Sequence, residues 1–156
     1  ATEVMIIMLK LEQLDPKAPI NLYIDSPGGD VRAGLTIIDT MNSIKPPVNT
    51  FCYSTAASMG AVILSAGAKR YAFEHSIIMI HQPLSSMEGY YRQTDLSKKA
   101  KSLEKVRDDL EHLLASFTKG KTSLEQMHVA CEEDNYMSPD QALEMGLIDE
   151  IIRKDK

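Results

Sequence analysis

The 156-residue sequence has only two cysteines, Cys52 and Cys131. They lie far apart and have no metal-ligand spacing, so a zinc ribbon and a disulfide-dense scaffold are both excluded. A single bridge between them is left open, and at this length a fold does not need one. Long apolar runs are missing as well. The longest weakly polar stretch, Ala56 to Ala68, is too short to cross a bilayer. No charged segment followed by an apolar stretch and a cleavage site occurs. The expectation is a cytoplasmic chain, or an organellar one whose targeting segment has been removed. There is no block of basic residues either. Lys98, Lys99, Lys101 and Lys105 are interleaved with Glu104, Asp108 and Asp109, as on a solvated helix face, and the net charge is −5. No nucleic-acid partner is therefore expected. Neither a complete P-loop nor a G-x-G-x-x-G run is present, and no internal repeat or low-complexity segment is found.

What is present is the composition of a soluble globular domain, 44% hydrophobic and 25% charged. Val4 to Leu14 is apolar almost all round and reads as a buried helix, ended by Pro16 and Pro19. Ile20, Leu22 and Ile24 form a short strand, and Ser26-Pro27-Gly28-Gly29 a tight turn. Val31, Leu35, Ile38, Met41 and Ile44 recur at helical spacing before Pro46-Pro47. Val48 to Tyr53 is a β-branched and aromatic strand, followed by a helix from about Ser58 to Gly67. Arg70 to Phe73 and Ile77 to Ile80 make two further strands. From Asp95 to Phe117 apolar residues fall three or four apart, which predicts a long amphipathic helix. Ser123 with Gln126, and Ser138 with Gln141, are capping boxes that open two more helices, and Gly146 is placed to end the second. Leu147 to Ile152 predicts a last short strand. Strands alternating with helices predict an α/β fold with a largely parallel sheet.

The chemistry centres on Ala56-Ala57-Ser58-Met59-Gly60. A serine among small residues at a helix start can be a nucleophile, because a carbonyl can approach it and unpaired backbone N–H groups lie nearby. The same residue is also an ordinary N-cap, so its companions decide. His81 follows an apolar strand and would sit at the strand end, where it can act as base. The alternative for any histidine is a structural or surface role. A third member must be a carboxylate brought in by the fold, and spacing alone does not select it. Gly28-Gly29 stands between a strand and a helix, where an exposed N–H can face an oxyanion. Gly29 and Met59 are then the two donors.

Asp25-Ser26-Pro27-Gly28-Gly29, Ala56 to Gly60, Ala66 to Lys69, Met79 to Leu84, and Tyr136-Met137-Ser138 through Gly146 to Asp149 stand in one order along the chain. In this the whole sequence resembles the proteolytic subunit of Clp proteases. The resemblance implies the ClpP/crotonase-like α/β fold, with flanking helices and a protruding handle helix. It implies one domain over residues 1–156, with a head at about 1–84 and 122–156 and a handle at about 85–121. It implies a serine endopeptidase with Ser58, His81 and Asp134 as triad, Gly29 and Met59 as oxyanion donors, and no metal or other cofactor. Ser85, Ser86, Met87, Glu88 and Gly89 would lie beside an extended substrate as a pairing strand. Implied partners are further copies of the chain in stacked heptameric rings, an AAA+ unfoldase ATPase, and unfolded proteins or peptides as substrates.

Departures from the family pattern carry expectations of their own. Residue 1 falls inside the family's first main helix, so no pore-gating loop is expected within these residues. Asn135 stands where the family usually has an arginine that pairs across the two rings, which predicts a weaker lock. Ser43 and Asn21 stand at places that tend to be aromatic in the unfoldase-docking groove, leaving Tyr23. The stretch from His81 to Asp134 is longer than usual, with the extra residues expected near Tyr90–Arg92 and Lys119–Lys121. The alternative reading is a non-catalytic, regulatory subunit of a mixed ring. A third, a crotonase-type acyl-CoA enzyme, would not require Ser58 together with His81.

Overall fold

A computed structural model describes residues 1–153. In chain order its elements are α1 (Thr2–Leu14), β1 (Ile20–Ser26), α2 (Val31–Ser43), β2 (Val48–Ala57), α3 (Met59–Ser65), β3 (Arg70–Phe73), β4 (Ile77–Ile80), α4 (Gln93–Phe117), α5 (Leu124–Cys131), β5 (Asn135–Met137), α6 (Pro139–Met145) and β6 (Glu150–Ile152). The expected α/β architecture with a largely parallel sheet is observed. β1, β3 and β4 all run parallel to β2, and β6 runs parallel to β3. Only β5, on β4, is antiparallel.

The long strand β2 organises the sheet. β1 lies along one edge of it, so β3 and β4 share the other in tandem, at Thr50–Cys52 and Thr55–Ala57 respectively. β2 thus extends four residues beyond the predicted end at Tyr53. Between Ile24 and Ser26 the register against β2 jumps from Cys52 to Ala56. The Thr55 N–H inside this irregularity donates to the Asp25 carboxylate at 3.2 Å. A short polar side chain thereby satisfies a backbone group that the ladder has left free.

The main core gathers between α3, the sheet and α4, around Ile38, Cys52, Leu64, Ile78, Met127 and Leu147. α3 is buried almost throughout, as its lack of charge requires. Arg70 is the most deeply buried charged residue among those described. It is 2% exposed and binds Asp149 through Nε at 2.9 Å and Nη2 at 2.6 Å. Its Nη1 donates to the carbonyls of Phe117 and Gly146, each at 2.7 Å. One guanidinium therefore ties β3 to the C-terminal ends of α4 and α6. Gly146 ends α6 at φ 83°, where a Cβ would lie 2.7 Å from the Thr118 carbonyl. Both predicted capping boxes form.

Two expectations, for α1 and for the start of the last strand, need correction. α1 is not buried: only Met8 is, while Ile6, Ile7, Leu9, Leu11 and Leu14 are exposed. One chain offers a single flank for this helix, against α2, so a helix apolar all round keeps an uncovered face. Ser85–Gly89, expected to pair with an extended substrate, run as exposed irregular backbone in the chain alone. The last strand begins at Glu150, because Leu147 and Ile148 are fully buried in the turn that leads into it. α4 starts two residues earlier than predicted. At about 1.5 Å per residue it is about 37 Å long. Leu110, Glu111 and Leu114 near its C-terminal end are buried, whereas Leu96 near its start is exposed. No described helix is long and apolar enough to cross a membrane.

Candidate active site

Ser58 occupies the single-residue junction between β2 and α3 at φ 53°, ψ −124°. Positive φ on a residue with a side chain is costly and persists only where surrounding contacts enforce it. Two contacts do so. The Ser58 N–H donates to the Met79 carbonyl of β4 at 2.8 Å. Gly28 packs so closely that a Cβ on it would lie 2.6 Å from the Ser58 Cβ and 2.8 Å from the Ala57 carbonyl. The glycine at 28 is therefore needed to let the β1–α2 turn press the serine into its sharp bend.

His81 is the first residue after β4, and β5 determines what stands beside it. Ile78 pairs with Met137, Met79 with Tyr136 and Ile80 with Asn135. One step further along this antiparallel register brings His81 opposite Asp134. The His81 Nδ1 lies 2.9 Å from Asp134 Oδ1, and its Nε2 lies 2.9 Å from Ser58 Oγ. A carboxylate can only accept, so Nδ1 carries the proton and Nε2 accepts from the serine hydroxyl. The imidazole is 11% exposed and Asp134 is 59% exposed. Gln82 anchors the turn that follows: its N–H donates to the Cys131 carbonyl at 2.7 Å, and its Nε2 to the Glu132 carbonyl at 2.8 Å. The three residues selected from sequence thus form one hydrogen-bonded chain.

Beside Ser58 opens a cavity of about 260 Å³, and Gly29 and Met59 line it. Gly29 has φ 147° and open space where a Cβ would stand. Met59 is the first residue of α3 and its N–H precedes the first intrahelical bond. Neither N–H has a hydrogen-bond acceptor among the described residues. Both are free to hold an oxygen that arrives in front of Ser58. Ser85, Ser86, Met87, Glu88 and Gly89 are not brought to this cavity, whose rim ends at Pro83 and Leu84. The Glu88 carbonyl instead accepts from the Tyr91 hydroxyl at 2.6 Å.

Sequence reasoning missed the far wall, which α4 supplies through Arg107, Leu110, Glu111 and Leu114. The apolar stripe that includes Leu110 is visible in the sequence, but a stripe does not say what it faces. Cys131 also borders the cavity. Both cysteines are free and buried. Burial, with help from the Glu111 charge, pushes the Cys131 thiol up to about 12, so it stays protonated and is a poor nucleophile at neutral pH. Among the described residues no group of three or more His, Cys, Asp or Glu could hold a metal ion.

A family model described as Clp protease matches residues 1–155, essentially the whole chain. That match, joined to the α/β fold and the hydrogen-bonded site just described, means that the chain belongs to the Clp protease family, peptidases that generally form oligomeric rings with unfoldase partners.

Proposed function

We propose that this chain is the proteolytic subunit of an ATP-dependent Clp-type machine, a serine endopeptidase acting on unfolded protein and peptide chains inside a ring-shaped chamber. The observation that carries the reading is the unbroken chain from Ser58 Oγ through His81 to Asp134, with 2.9 Å at each link. Ser58 Oγ attacks the scissile carbonyl while His81 Nε2 takes its proton. Asp134 holds the imidazolium and its tautomer. The carbonyl oxygen, now anionic, receives the Gly29 and Met59 N–H groups. Collapse of the adduct breaks the C–N bond, and His81 returns the proton to the departing amine. Water then enters by the same route to release the acyl group, with His81 again acting as base.

Assembly follows from what the isolated chain leaves uncovered. The exposed face of α1 and the exposed start of α4 offer apolar surface to further copies, in keeping with stacked heptameric rings whose handles are the α4 helices. A row of rings, Tyr23 on Phe51 at 4.8 Å and Phe51 on Tyr71 at 4.7 Å, supplies an aromatic face for an AAA+ unfoldase. The Asn21 side-chain oxygen there accepts from Asn49 Nδ2 at 3.2 Å. Asn135 turns inward and donates to the Ala130 carbonyl at 3.1 Å, which supports a weaker contact between rings and keeps a regulatory, mixed-ring role as the second reading. The proposed location is cytoplasmic, or an organelle interior.

The test is turnover of a short fluorogenic peptide by the wild type and by Ser58→Ala, with assembly state followed in parallel. Turnover lost only in the variant supports the peptidase. Rings without turnover in the wild type favour the regulatory reading.

A further inference from the structure

Asp134 stands in the short connection, residues 132–134, between α5 and β5. Its side chain is 59% exposed and bonds to His81 alone among the described residues. Packing does not fix such a side chain, yet an orienting carboxylate is useful only while it stays aligned with its histidine. The restraint comes from the backbone on either side. The β4–β5 ladder ends at the pair Ile80 and Asn135, one residue past Asp134. On the other side lie the carbonyls of Ala130, Cys131 and Glu132, at the C-terminal end of α5, where intrahelical donors run out. Each of the three receives a donor. Asn135 Nδ2 reaches Ala130 at 3.1 Å, the Gln82 N–H reaches Cys131 at 2.7 Å, and Gln82 Nε2 reaches Glu132 at 2.8 Å. Gln82 supplies two of them, and it is the residue directly after His81.

We propose that Gln82 is a positioning residue for the triad: its side-chain amide holds the Glu132 carbonyl and thereby sets Asp134 against His81 Nδ1. The inference rests on the peptidase reading given above. His81 and Gln82 are adjacent, and Glu132 and Asp134 are two residues apart. The two hydrogen bonds, His81 to Asp134 and Gln82 to Glu132, therefore close a small ring across the end of the sheet. Asp134 is bracketed by the ladder on one side and by Gln82 on the other. A carbonyl only accepts, so the amide nitrogen of Gln82 must face it. The Gln82 N–H serves Cys131 whatever side chain residue 82 carries, so a substitution there removes the side-chain bond alone. Gln82 also lines the cavity beside Ser58, which makes direct contact with substrate the competing role.

The experiment measures turnover of a fluorogenic peptide by the assembled wild type and by Gln82→Met, which keeps the length of the side chain and removes the donor. The expected result is a fall in kcat by about 3- to 10-fold, the worth of one neutral hydrogen bond, with KM unchanged. Gln82→Glu, which also lacks the donor, should lose kcat too and replaces the first variant should that one fail to fold. The decisive comparison is made in Asp134→Ala, with the rate at which a fluorophosphonate labels Ser58 read by intact mass. There Gln82→Met should change the rate by a factor of about one, because a residue that acts through Asp134 has nothing left to position. With Asp134 present the same substitution should slow labelling by about 3- to 10-fold. An equal slowing in both backgrounds overturns the proposal, since Gln82 then acts independently of Asp134. A rise in KM at unchanged kcat overturns it in favour of substrate contact, and wild-type kcat in both variants overturns it outright. Each of these leaves the peptidase standing. A wild type that neither cleaves the peptide nor takes the label overturns the peptidase reading together with the proposal.

Discussion

Replacing Asp149 by asparagine should cost about 3 kcal/mol of stability at neutral pH. The carboxylate accepts from the Arg70 backbone N–H at 3.1 Å, from Nε at 2.9 Å and from Nη2 at 2.6 Å. It also accepts from Lys119 at 2.9 Å, but that lysine is exposed and contributes little. Arg70 is fully enclosed, so removing its counter-charge leaves a buried cation held only by two carbonyls. Breaking a buried pair from one side costs about 3–5 kcal/mol, and partial exposure of Asp149 argues for the lower end. For a domain of this size the melting temperature should fall by about 6–12 °C. The Arg70 hydrogen bonds, opposed by partial burial and aided by Lys119, hold the Asp149 carboxyl well below the usual carboxylate range. Its contribution is therefore fully present above the unfolded-state value of about 4 and is lost as pH falls through the lower folded-state value. Chemical denaturation of wild type and Asp149→Asn, at one protein concentration, should show the full gap at pH 6 and a smaller gap at pH 3. A gap under about 0.5 kcal/mol at pH 6, or one that widens on acidification, would refute the reasoning.

Other substitutions probe the site itself. Asp134→Asn places an amide N–H₂ against Nδ1 and favours the wrong tautomer; because Asp134 is largely exposed, peptide turnover should fall by about 10²–10⁴ with the melting temperature unchanged. Gly28→Ala should force the turn away from Ser58, destabilise the protein by about 1–3 kcal/mol and lower turnover in step, as read by calorimetry and a peptide assay. Leu110→Ala, in the cavity wall, should cost about 2–4 kcal/mol and raise KM, measured on the same peptide. Asn135→Arg should enrich double rings over single rings in sedimentation, and an unchanged distribution would clear Asn135 as the weak point.

Local chemistry carried most of the fold into the sequence. Ser123, Ser138 and Gly146 announce their helix ends because capping depends on residues within one turn. β5 was invisible for the opposite reason. Asn135–Met137 is three residues long, and its strand character comes from pairing with β4 more than fifty residues earlier. The same pairing carries Asp134 to His81, which explains why spacing alone could not choose that carboxylate. α1 misled because a period of apolar residues reports what a helix can bury, not what one chain provides to bury it. Nothing in the sequence singles out Glu111 and Arg107 on the long helix. Their place against the serine depends on how α4 crosses α3, a packing angle with no local signature.

The central claim is that Ser58 is a nucleophile made reactive by His81. The most direct measurement is intact-mass analysis after reaction with a fluorophosphonate, followed by peptide mapping, on wild type, Ser58→Ala and His81→Ala. The account predicts one adduct per chain in the wild type, mapped to Ser58, none in Ser58→Ala, and much slower labelling in His81→Ala. An adduct that persists in Ser58→Ala, or labelling of Ser58 at an unchanged rate without His81, would contradict it.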